Sequence, residues 1–162
     1  MENEIIFTER QQFRQWWLWL ILLGVNFLCL FNIYNRQIPP GKSGLFIAII
    51  LTLLLVIFFY ILRLETIIKK DGIYVRFFPF HLEFRHYSWY ELSKTYVRKY
   101  SPLLEYGGWG IRIGIFGKGK AYNVSGNQGL QLEFNNERRL LIGTSNPEEL
   151  KTALVQSGHY KE

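Results

Sequence analysis

Three histidines, one cysteine and a surplus of lysine and arginine are what this 162-residue chain offers to chemistry. His81, His86 and His159 stand at spacings that suit no metal site, and His81 and His86 fall beside an expected hairpin. Cys29 is the only cysteine, which excludes an intrachain disulfide and a thiolate cluster. It lies in an apolar run and reads as a packing residue. The serines sit in turns rather than in a strained nucleophile context. Gly41-Lys42-Ser43 echoes the end of a phosphate-binding loop, but Arg36 occupies the place of that loop's first glycine. Gly107-Gly108-Trp109-Gly110 misses the dinucleotide-loop spacing and precedes a strand. Asn123-Val124-Ser125 spells a glycosylation sequon that a cytosolic domain would not use. These residues predict no catalytic set, no metal and no cofactor, and therefore no enzyme.

The basic residues are left. Residues 1–62 hold four basic and three acidic side chains, and the remainder fifteen and ten, so most of the net +6 lies in the second part. That excess points to an acidic partner surface, with no nucleic acid expected.

The elements that must position these groups change character along the chain. Trp16–Ile33 and Leu45–Leu62 carry no charge, and each would span roughly 27 Å as a helix against a hydrocarbon core of about 30 Å. Trp16, Trp17 and Trp19 at the start, with Tyr34 and Tyr60 near the ends, match interfacial anchoring. The pattern predicts a transmembrane hairpin, helices about 16–34 and 44–62, turning at Pro39-Pro40-Gly41. Arg10, Arg14, Arg63, Lys69, Lys70 and Arg76 on one side against Arg36 and Lys42 in the loop predict both termini in the cytoplasm of a multi-pass cell-membrane protein. Asn26 and Asn32 are expected to hydrogen-bond to the partner helix or to another copy. Neither run contains Asp, Glu, Lys, Arg or His, which argues for an anchor rather than an ion pathway.

From residue 63 to 162 the period becomes two. Ile73, Val75 and Phe77 alternate with Tyr74, Arg76 and Phe78, and Leu130, Leu132 and Phe134 with Gln131 and Glu133. Strands are expected near 65–70, 72–78, 82–88, 93–100, 110–116, 120–124, 129–134 and 138–142. Asn146-Pro147-Glu148-Glu149 then opens a helix of about 147–157, with Asn146 as its cap and Gly158 as its stop. Such short spacing predicts an antiparallel β-sandwich or partly open barrel capped by a C-terminal helix.

This layout, with the segments Tyr106-Gly107-Gly108-Trp109-Gly110-Ile111-Arg112 and Ala121-Tyr122-Asn123-Val124-Ser125-Gly126 followed by Gly129, resembles bacterial two-helix membrane proteins that carry a C-terminal pleckstrin-homology (PH)-like domain. The resemblance implies a membrane α-helical hairpin plus an α+β or all-β PH-like domain, and a function in scaffolding or protein interaction at the cytosolic face. It also implies an alternative, a sensor of anionic lipid headgroups or of a small ligand acting through Lys69, Lys70 and Arg76. Tyr74 stands where such domains place a further basic residue.

Strand direction sorts the surface into two rims. Six residues at about 3.3 Å each would carry the Asp71-Gly72 turn roughly 20 Å from the bilayer. Counting strands onward predicts a membrane-proximal rim of Phe77, Phe78, Phe80, Leu103, Leu104 and Trp109. The distal basic patch would be Lys69, Lys70, Lys118, Lys120, Arg138 and Arg139. The expected partners are the lipid bilayer through two transmembrane helices and a protein, or a second copy.

Overall fold

In a computed structural model of the protein, residues 4–13, 16–35 and 42–161 are described. The expectations placed on Arg14, Arg36 and the Pro39-Pro40-Gly41 turn lie outside these residues, as do those on the side chains of Cys29 and Asn32. In chain order the elements are β1 (Ile5–Gln12), α1 (Trp16–Asn35), α2 (Lys42–Ile61), β2 (Arg63–Lys69), β3 (Gly72–Phe78), β4 (Arg85–Ser88), β5 (Leu92–Lys99), α3 (Pro102–Tyr106), β6 (Gly110–Ile113), β7 (Lys120–Asn123), β8 (Gln128–Phe134), β9 (Arg139–Gly143) and α4 (Pro147–Gln156). The chain divides into two compact units, Met1–Gln12 with Arg63–Glu162, and Phe13–Leu62.

The unit Phe13–Leu62 holds α1 and α2. Asn26 donates its amide to the Leu22 carbonyl at 2.6 Å and accepts from the Thr52 hydroxyl, which ties the two helices at mid-length. Phe13 meets Phe59 edge-on at 5.9 Å. Among the described residues, no helix is long and apolar enough to cross a membrane. That finding overturns the expected transmembrane hairpin, the bilayer as a partner through two such helices, and the multi-pass placement in the cell membrane. The helices themselves lie within two residues of their expected bounds. α2 starts at Lys42, inside the expected loop, and α1 runs on to Asn35, so polar residues enter both.

The other unit is an α+β arrangement of two sheets. The first has the order β1-β2-β3-β4 and is antiparallel throughout. Alternation explains its core face: Leu64, Thr66 and Ile68 of β2 and Ile73, Val75 and Phe77 of β3 are buried. On the opposite face the register sets Arg10, Glu65 and Arg76 in one row across three strands. Glu65 is 2.5 Å from the Arg76 guanidinium and 3.2 Å from that of Arg63. The strand β1 was not expected. Its Ile5-Ile6 pair and the polar run after it give little alternation to read.

The second sheet has the order β5-β8-β9-β7-β6, and β7 runs parallel to β9. This corrects the expected PH-like antiparallel sandwich or barrel. The strands occupy nearly their expected segments, but pairing is not sequential. After β7 the chain crosses to form β8, and β9 returns into the space between β8 and β7. Strand periodicity reveals which residues pair with a sheet, not which neighbour they choose.

Leu130, Leu132 and Ile142 of this sheet are buried, as are Leu150 and Leu154 of α4, while Leu141 on the other face is buried with Tyr100, Tyr106 and Ala121. Pro147 holds the first position of α4, and Glu148 and Glu149 fill its first turn. Asn146 makes no side-chain cap, contrary to expectation. A carboxylate from β1 instead fastens the residues that precede the helix. Glu9 of β1 accepts from the Thr144 hydroxyl and from the Ser145 amide, both at 2.7 Å, and Thr144 accepts from the Asn146 amide at 3.1 Å. Gln11 donates to the Gly143 carbonyl at 2.7 Å.

Two histidines make this unit acid-sensitive. His81 is buried, and its Nδ1 accepts from the Phe77 amide at 3.3 Å, which needs a neutral ring. Burial, and then the charge of Arg85, hold its pKa below the usual 6.5. His159 stacks on Trp89 with centroids 4.1 Å apart and is shifted the same way by burial and by Lys161. A base whose folded pKa is depressed binds more protons once unfolded, so stability should be full above the ordinary histidine range and fall as pH drops below it. Urea midpoints at pH 7.5 and 5.5 should show that loss, and the slope should flatten in His81→Gln. An unchanged slope in that variant would assign the loss elsewhere.

Candidate functional site

β4 ends the first sheet, and beside it the β6–β7 connection and the start of β9 enclose a cavity of about 720 Å³. Arg85, Lys120, Arg138 and Arg139 line it with His86, and Glu137 is the one carboxylate of its lining. Tyr87, Tyr122 and Phe134 contribute aromatic surface, with Ile113 and Leu140 beside them. This volume falls within the range of small-ligand pockets.

Each cation reaches the cavity for a local reason. Arg85 and Tyr87 belong to the short strand β4, and Arg85 donates to the Tyr122 hydroxyl at 3.1 Å. Lys120 opens β7 in register with Leu140, so it sits beside the start of β9 and next to Arg139. Arg138 lies over the Phe134 ring at 5.2 Å and bonds Asn136 at 3.0 Å. Arg139 approaches Glu133 only at 3.9 Å. Among the described residues, no carboxylate lies within ion-pair reach of Arg85, Lys120 or Arg138. The turn that leads into β7 needs glycine at 119: its φ is +82°, and a Cβ there would collide with the Arg139 carbonyl. The turn is thereby seated directly on the basic strand.

The Tyr87 phenol keeps its proton. Burial, and then the neighbouring Tyr122, push the Tyr87 hydroxyl up to about 12, with Arg85 opposing. At neutral pH it stays protonated. Tyr87 also meets Phe134 edge-on at 5.5 Å.

Compared with protein-family models, with curated proteins and with solved structures, the chain finds no match.

The expected distal patch divides. Lys120, Arg138 and Arg139 converge on the cavity. Lys118 lies 3.9 Å from Glu105, which already holds Arg98 at 2.9 Å. Lys69 covers the Tyr74 ring, and Lys70 pairs with Glu4 at 2.6 Å. Arg76 pairs with Glu65 at 2.5 Å.

The aromatic rim divides as well. Phe77 is 1% exposed and belongs to the core, and Phe78 lies under the Arg63 guanidinium at 4.7 Å. Phe80, Leu103 and Leu104 are exposed. Trp109 donates to the Gly126 carbonyl at 3.2 Å.

Arg85, His86, Tyr87 and Tyr122 were missed as site residues. A faint signal existed: a run of Arg, His and Tyr placed in a short strand next to a hairpin, where an edge position leaves such side chains open.

Proposed function

We propose that the chain is a non-catalytic interaction module that captures an anionic ligand in this basic cavity. The observation that carries the reading is the imbalance of the lining, where Arg85, Lys120, Arg138 and Arg139 meet Glu137 as the one lining carboxylate, with Glu133 near Arg139 at 3.9 Å. Like charges gathered on a concave, partly apolar surface repel one another, and an anion relieves that repulsion. The guanidinium forks and the phenol hydroxyls supply directed donors for oxygen acceptors. Nothing in the lining pairs a Ser or Cys nucleophile with a base, which favours binding over turnover.

A thermal-shift series on the full chain tests this. Small anions that enter the cavity should raise the midpoint beyond chloride at matched ionic strength, as expected of a ligand bound only by the folded state. Lys120→Glu should abolish the rise while leaving the ligand-free midpoint nearly unchanged, because Lys120 is exposed. If no anion exceeds the chloride control, the reading falls.

A further inference from the structure

The cavity holds more charge than a bare monoanion needs and more apolar surface than a bare inorganic anion can use. The cations are concentrated rather than spread. Lys120 is in register with Leu140 across the parallel β7–β9 pair, so Arg139 precedes that partner residue by one position and Arg138 by two. Arg85 faces them from β4 and is joined to β7 through Tyr122. Such a cluster suits one group that carries two charges, whereas two separated carboxylates would leave one end over the apolar side. A phosphate monoester carries about −1.5 to −2 near neutrality and offers three strong acceptor oxygens. Guanidinium and ammonium donors together match that geometry.

The remaining lining bears on the rest of the ligand. Tyr87 and Phe134 form an edge-to-face pair, and Ile113, 78% exposed, stands at the rim. A free inorganic anion would leave these surfaces wet, and the volume of about 720 Å³ far exceeds what it would fill. Resting on the anion-binding reading above, we infer that the ligand is a phosphate monoester with an aromatic or apolar body. The phosphate lies against Lys120 with Arg138 and Arg139, and the body lies against Tyr87 and Phe134. The same chemistry is presented by a soluble aryl phosphate and by the phosphate headgroup of phosphatidic acid.

Calorimetric titration of the full chain with phenyl phosphate, inorganic phosphate and benzoate tests the assignment, with phosphatidate-containing and neutral vesicles as a parallel arm. Phenyl phosphate should bind at least about tenfold more tightly than either of the other two. Lys120→Ala and Arg138→Ala should each weaken it by about tenfold, the scale of one charged hydrogen bond. Both residues are exposed, and unchanged urea midpoints would show that the variants fold. Binding of phosphatidate vesicles alone, with the same dependence on Lys120 and Arg138, would support the assignment with a lipid as the source. Benzoate binding as tightly as phenyl phosphate would overturn the phosphate and leave the anion reading standing. Inorganic phosphate binding as tightly as phenyl phosphate would overturn the apolar body. No binding by any of them would overturn both.

Discussion

Glu9→Ala is expected to lower unfolding free energy by about 3 kcal/mol, measured as a shift of the urea midpoint at constant slope. Glu9 is 7% exposed, and its two oxygens accept from Thr144 and Ser145, more than 130 positions away in the chain. Hydrogen bonds to a charged group contribute about 1.5–3 kcal/mol, and donors left unpaired in a buried place cost about 1–3 kcal/mol each. Glu9→Gln keeps one acceptor and should lose roughly half as much. A loss below about 1 kcal/mol for Glu9→Ala would show that β1 is not fastened by this residue.

The second large effect separates two residues that sequence placed in the same aromatic rim. Phe77→Ala should cost about 3–5 kcal/mol, because a 1% exposed ring leaves a cavity that neighbours fill only in part. Phe80→Ala, at a site 59% exposed, should cost much less, about 0.5 kcal/mol or below if its ring contact with Phe77 contributes little. Comparable losses in the two variants would contradict the division between core and surface described above.

Alternation put Phe77 on the same face as Ile73 and Val75, and that periodicity was legible and correct about burial. The rim came from a different inference, counting strand directions from a membrane exit. That count failed at its first premise, once no described helix was long and apolar enough to span. The strands themselves were readable because half-buried strands write their period into the chain, and α4 was readable from Pro147 and the acids after it. Their order was not readable. The parallel β7–β9 pair depends on side-chain packing between segments about 15–20 residues apart, which leaves no local mark.

The site was legible in the same partial way. The same strand count placed Lys120, Arg138 and Arg139 at one end of the β unit, and these three line the cavity. Lys69, Lys70 and Lys118 had equal standing in sequence, and only the positions of Tyr74, Glu4 and Glu105 show why they are occupied elsewhere. Glu4 lies next to a strand that alternation did not disclose. Arg85 was hidden for another reason: its value lies in facing β7, and that neighbourhood exists only after both sheets have formed.

The pairing of Gln12 with Arg63 has a topological consequence. The chain leaves the β unit and re-enters it at adjacent strand ends, so β1 and β2 form a hairpin whose connection is residues 13–62. The helices are thus an insert within one strand-to-strand link rather than a leader placed before the β unit. Closure entropy grows only slowly with the length of such a link, so the strands, and not the excursion between them, dictate the register. Glu9 and Gln11 in addition fasten β1 to residues 143–145 of the β unit.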